Sequence, residues 1–330
     1  MVHPERFRER AASSLAGSPV APISQERFQN RLDRLTANVT DRVIVTEDKL
    51  RFVLLGLLTD GHILLEDTPG VGKTLLAKTL AQSIDGEFAR VQCTPDLLPS
   101  DITGSFIYNQ REVSFEFLPG PIFSNVLLAD EVNRTGPRTQ SALLEAMGEG
   151  QVSMDGEIRK LPRPFIVIAT QNSVESHGIF PLPDSQLDRF LVSTSLGRPS
   201  ADDEVRILSL EESGPDTVRP VLTAADVLGM QARVRSVSVA MPVKQYIVAL
   251  CRATGEHPLA QRGVSPRGTV LLQRASQGWA AMDGRDYVLP DDVKTVAPAV
   301  LTHRMVARPG SAITPAELVG EALSDTPVPL

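Results

Sequence analysis

Cysteine is scarce: Cys93 and Cys251 are the only two in 330 residues. They have no CxxC spacing and no histidine-rich neighbourhood. That disfavours a disulfide or a zinc site and favours two buried thiols in a reducing compartment. The five histidines share no ligand spacing. No apolar run approaches the ~18 residues of a membrane helix, and Met1–Arg10 is charged where a signal peptide would be apolar. Net charge is −7, and Lys and Arg are scattered among acids. No basic patch with interleaved aromatics stands out, so neither nucleic acid nor an anionic membrane is an expected partner. What remains is an ordinary globular composition, 42% apolar and 22% charged, with a cytoplasmic location expected.

The length allows two domains. Residues 1 to about 23 carry Ala, Ser, Gly and Pro without periodicity and read as a flexible tail. A short amphipathic helix follows, with Phe28, Leu32 and Leu35 on one face; tail and helix together make up residues 1–38. A helix from Thr46 to Leu58 carries Glu47 and Asp48 in its first turn. Strands are expected at Ile63–Leu65, Phe88–Gln92, Asn125–Glu131, Phe165–Thr170 and Phe190–Thr194. Two hairpins interrupt them, at Thr103–Phe117 and at Gln151–Lys160. The second turns on Asp155-Gly156, a type I′ signal. The first reads equally as edge filling or as an inserted loop facing a central pore or partner. Beyond residue 199 everything reads helical, which puts the boundary of an α/β domain (39–198) and a helical domain (199–330) there. Trp279 and Tyr287 read as core of the second domain.

The chemistry centres on Asp67-Thr68-Pro69-Gly70-Val71-Gly72-Lys73-Thr74, between a strand and a helix. This is the setting of a phosphate-binding loop. Gly70 and Gly72 let the segment Pro69-Gly70-Val71-Gly72-Lys73-Thr74-Leu75 curl so that its successive N–H groups, from Gly70 on, face a phosphate chain, and the helix N-terminus adds positive potential. Lys73 would reach the β/γ-phosphates and Thr74 a Mg²⁺ ion. The glycine that usually opens such a loop is Asp67 here. Asp130 and Glu131 end a strand some sixty residues later. Alone they could be a solvated turn; beside a phosphate loop, Asp130 would hold Mg²⁺ and Glu131 would polarise a water. Asn172 follows the next apolar strand and would donate to the γ-phosphate, or merely close a turn. Arg189, just before the last strand, reads as a surface partner of Asp188 or Asp184. Arg267 starts a helix capped by Ser265, and would either fold over phosphates or be solvated.

In this order the pieces resemble the MoxR family of AAA+ ATPases. Leu64–Thr74 is similar to its Walker A segment, and Asp130–Arg134 with Pro137–Met147 to its Walker B strand end and following helix. Ala169–Asn172 is similar to sensor 1, Leu182–Phe190 to the arginine-finger segment, and Ser265–Arg267 to sensor 2. Leu289–Val293 is similar to the start of the last lid helix. The match spans roughly residues 40 to 308 and departs at Val45-Thr46-Glu47, where a Gly-Gln pair is usual. The resemblance implies a three-layer αβα domain on a five-stranded parallel sheet, followed by a smaller all-α lid. It further implies ATP with Mg²⁺, and a ring of copies, usually six, in which Arg189 serves the neighbour's nucleotide. The expected role is chaperone-like remodelling of protein clients, among them von Willebrand factor A-domain proteins and metal-dependent enzymes. Two other classes stay open: a nucleic-acid remodelling motor, and a nucleotide-dependent switch or scaffold.

Overall fold

The computed structural model describes residues 20–329 except 69, 112, 155, 172–178 and 213–217. Two helices open it, α1 (Gln25–Thr40) and α2 (Glu47–Leu58), followed by β1 (Ile63–Glu66), α3 (Lys73–Ser83) and β2 (Phe88–Gln92). A short α4 (Pro99–Thr103) leads into the hairpin β3 (Gly104–Asn109) and β4 (Ser114–Pro119), then β5 (Val126–Asp130) and α5 (Pro137–Glu149). The hairpin β6 (Gln151–Met154) and β7 (Glu157–Lys160) precedes β8 (Ile166–Gln171), α6 (Asp184–Leu187) and β9 (Val192–Thr194). The helical lobe holds α7 (Ala201–Glu212), α8 (Ala224–Ser236), α9 (Met241–Glu256), α10 (Pro266–Met282), α11 (Pro290–Leu301) and α12 (Pro315–Asp325). Its small sheet pairs β10 (Ala260–Arg262) with β11 (Val306–Ala307).

Five strands form one parallel sheet in the order β2-β5-β8-β1-β9. Covered on both faces, β5 and β8 are nearly continuous apolar runs, as a central parallel strand requires. Successive side chains then serve two cores. Ile63, Leu65, Leu128 and Ile168 join the core under α2 and α3, whereas Leu64, Leu127 and Val167 join the core with Leu143 and Leu144 of α5.

The first of those cores continues into the helical lobe. Trp279 of α10 packs on Phe52 of α2 with ring centroids 5.2 Å apart, and Arg51 stacks over the indole at 4.3 Å. Gln231 of α8 donates to the Leu57 carbonyl at 2.8 Å. At Gly278 an added Cβ would stand 2.5 Å from Leu55 Cδ1, so only glycine lets α10 approach α2 this closely. A change of secondary-structure class near residue 199 is therefore not a break in the core.

Three further expectations change. Helix α1 is sixteen residues long and crosses position 38, with Val39 buried beside Phe28, Leu32 and Leu35. The second lobe is not wholly helical, because β10 and β11 pair within it. Tyr287 is 50% exposed and is not core, whereas Trp279 is buried.

Candidate functional site

A parallel sheet places every strand's carboxyl end on one edge, and the loops there converge. Strand β1 ends at Glu66 and runs into the glycine loop; β5 ends at Asp130; β8, between them, ends at Gln171. Asn172 follows Gln171 but, like Pro69, lies outside the described residues.

In the loop, Gly70 (φ 90°) and Gly72 (φ 87°) are both left-handed, and no atom lies within 4 Å of where either Cβ would stand. Among the described residues, space is therefore open beside both glycines. Gly72 caps α3, whose first residues are Lys73 and Thr74, so unpaired helix N–H groups face the same space. Val71, Lys73 and Thr74 are half-buried and Leu75 is exposed. Lys73 Nζ donates to the Asp67 carbonyl at 3.1 Å.

Asp130 and Glu131 share an anchor on β8. Thr170 Oγ donates to Asp130 Oδ1 at 2.6 Å and accepts from the Glu131 N–H at 2.8 Å. One hydroxyl on β8 thereby sets both acids. Arg90 of β2 donates to Asp130 Oδ2 at 2.7 Å, and Gln92, two residues on and on the same face, donates to Glu131 Oε2 at 2.9 Å. Arg134 pairs with the same Glu131 oxygen at 3.1 Å. Glu131 itself is left-handed (φ 56°), a conformation that costs a non-glycine residue about 1–2 kcal/mol and is held here by Thr170. Behind the acids, burial pushes the Cys93 thiol up to about 12, with the charges of Asp130 and Glu131 adding to the effect. It is a packing thiol.

The two arginines stand elsewhere. Arg189 does not pair with Asp188 or Asp184; it donates to the Leu144 carbonyl at 2.7 Å. Asp184 pairs with Arg262, and Asp188 with Arg304. Both Arg189 and Arg267 flank Gly148, at the end of α5. That corner is fixed to the start of β1. His62 Nδ1 accepts from the Val167 N–H at 3.0 Å, so its Nε2 carries the proton and donates to the Met147 carbonyl at 3.0 Å. Burial lowers the pKa of His62 and keeps the ring neutral. The arginines thus lie by the amino end of β1, and the glycine loop leaves its carboxyl end. Four residues separate the two, roughly 13 Å at strand rise.

A cleft of about 250 Å³ lies between Thr40, Val43–Thr46 and the α7 residues Asp203 and Arg206. Nothing in the hydrophobic pattern of those residues signals a cleft; it forms only when α7 folds back onto the segment before α2.

Glycine loop, paired acids and remote arginines on this sheet, with a helical lobe behind, define a P-loop ATPase of the AAA+ class. Residues 62–192 match the family model described as "ATPase family associated with various cellular activities (AAA)", and residues 252–322 match the AAA lid domain. The chain is 46% identical over 311 residues to the uncharacterized protein YeaC of Bacillus subtilis (strain 168), covering 93% of this chain and 97% of that one. It is 42% identical over 275 residues to chaperone MoxR1 of Mycobacterium tuberculosis (strain ATCC 25618 / H37Rv), covering 80% and 73%. A crystal structure of a Cytophaga hutchinsonii protein assigned as an ATPase superposes with a TM-score of 0.87 at 34% identity, covering 98% of this chain and all of that one. The chain belongs to the MoxR family of AAA+ ATPases. Among the described residues, no helix is long and apolar enough to cross a membrane.

Proposed function

We propose that the protein hydrolyses ATP in a ring of identical subunits, with hexamers expected, and uses the cycle to remodel protein partners. The observation that carries this reading is the separation of Arg189 and Arg267 from the glycine loop along β1. A chain whose arginines sit on the edge opposite its own phosphates has half a site on each side, and stacking copies completes it.

In the proposed site the N–H groups of residues 70–75 and the Lys73 ammonium bind the phosphates. The open glycine backbone and the carboxylate of Asp130 fit a nucleotide with its metal. Thr74 and Asp130 would hold Mg²⁺, which when bound neutralises charge on the phosphate oxygens. Glu131 orients and deprotonates the attacking water, and Asn172 helps position it. Arg189 and Arg267 of the adjacent subunit stabilise charge on the transferring phosphoryl group. The base fits the cleft lined by Val43, Ile44 and Val45.

The client surface in this reading is the paired hairpins. Val113 and Phe115 at the β3–β4 end are 73% and 71% exposed, and the Tyr108 ring packs at a tilt on Phe115 with centroids 5.3 Å apart. Arg159 of β7 lies over Phe117 of β4 at 4.2 Å, so one hairpin braces the other. Partners with von Willebrand factor A domains are the proposed clients, in keeping with the family resemblance. Affinity capture with the Glu131→Gln protein in ATP tests this. Recovery of such a partner supports it, and capture that is equal with and without nucleotide contradicts it.

A further inference from the structure

Asp67 occupies the position where a phosphate loop usually has glycine, and its carboxylate does not face the loop. It is 7% exposed and accepts three hydrogen bonds from one turn: Ser195 Oγ at 2.6 Å, the Leu196 N–H at 2.8 Å and the Gly197 N–H at 3.1 Å. Two successive N–H groups converging on one carboxylate, the second on a left-handed glycine (Gly197, φ 77°), form a small anion-binding nest. Bonds from backbone N–H to an ionised carboxylate are stronger than neutral ones. The neighbouring Glu66 repeats the contact, accepting from Ser193 Oγ at 2.7 Å.

The turn it grips is the connection between β9 and α7, the first helix of the helical lobe. At the same time the Asp67 carbonyl accepts from Lys73 Nζ at 3.1 Å. One residue therefore holds the phosphate-loop lysine with its main chain and the inter-lobe connection with its side chain. A lysine drawn onto phosphate would leave that carbonyl, and three hydrogen bonds join Asp67 to residues 195–197.

We propose that Asp67 is a positioning residue coupling nucleotide occupancy of residues 70–74 to the 195–197 turn, and through it to α7. Glycine at this position would free the loop but sever the link. The inference rests on the reading of residues 67–74 as a phosphate loop, so the test begins by measuring binding of fluorescent ADP to the full-length wild-type protein.

Amide hydrogen exchange at Leu196 and Gly197 is then compared with and without Mg-ADP, in wild type, Asp67→Asn and Ser195→Ala. Expected in wild type is a change of about threefold or more on nucleotide addition. In Asp67→Asn that response is lost, while ADP affinity stays within about threefold of wild type and kcat falls about tenfold. Ser195→Ala removes one donor of the three and gives a partial loss, which keeps the test alive should Asp67→Asn fail to fold. Wild type that binds ADP without any change at 196–197 overturns the coupling, as does a full response in both variants. Wild type that binds no ADP overturns the phosphate-loop reading itself.

Discussion

Asp188 Oδ1 accepts from Arg304 Nε at 2.9 Å, joining the segment before β9 to the turn after α11 in the helical lobe. Arg304 is almost fully buried, and burial pushes its pKa down to about 10, against the opposing pull of Asp188. It stays charged at neutral pH. The other Asp188 oxygen accepts from Ser265, the N-cap of α10. One carboxylate thus sits next to Arg189 in sequence and bonds to the cap two residues before Arg267. It ties the segment that carries Arg189 to the start of the helix that carries Arg267.

Removing that carboxylate strands a buried cation. Asp188→Asn is expected to destabilise the protein by about 3 kcal/mol, the usual cost of breaking a buried pair from one side. Urea denaturation measures it. A loss below about 0.5 kcal/mol would mean the pair behaves like an exposed one.

Gly278 is the second structural test. Gly278→Leu inserts a side chain where Leu55 and Thr59 already stand 2.5–2.6 Å from an added Cβ. Overpacking of this kind costs about 1–3 kcal/mol. The shared core carries the strain to both lobes, so a single thermal transition moving down is expected. Two separated transitions would show that the lobes unfold independently.

Thiol titration gives the pH dependence. Burial raises the pKa of Cys93 from 9.0 to about 12 and that of Cys251 from 9.0 to about 11. Between those values the folded state holds protons that the unfolded chain has released. Stability from this source is therefore complete below pH 9 and lost as pH rises through the folded values. Both thiols should resist a thiolate-selective reagent at pH 8 and react on denaturation. Rapid modification of Cys93 in the folded protein would contradict its burial.

Most of the fold was legible because its signals are local. Alternation and continuous apolar runs mark the five strands, and glycine punctuation marks the loop. The helix α12 carries a local signal too, the capping box Thr314-Pro315-Ala316-Glu317. Strands β10 and β11, of three and two residues, are too short to show a period. What sequence could not show is pairing across long separations. Arg90 and Gln92 reach Asp130 and Glu131 only because β2 lies beside β5 in register, Gln92 opposite Asp130. Asp67 read as a defect in a motif until its partners at residues 195–197 came into place. Tyr287 read as core because it is aromatic, yet it lies by the exposed bridge to Ser238.

Within the proposed catalytic group, Glu131→Gln keeps the side-chain shape and a hydrogen-bonding oxygen but removes the base. It is expected to bind ATP like wild type and hydrolyse it about 10²–10³-fold more slowly. Steady-state phosphate release with a nucleotide-binding control measures both. Undiminished turnover would remove Glu131 from that role.

The central claim is that each site takes its arginines from a neighbour. Arg189→Ala should cost about 10³-fold in hydrolysis while leaving nucleotide affinity unchanged. Lys73→Ala should abolish binding at its own loop but keep Arg189. The decisive measurement is ATP hydrolysis by a mixture of the two inactive variants, at concentrations where subunits assemble. The expected result is activity well above either variant alone, because an intact loop then meets an intact arginine across the interface. No recovery in mixed assemblies, or full activity from an isolated monomer, would contradict it.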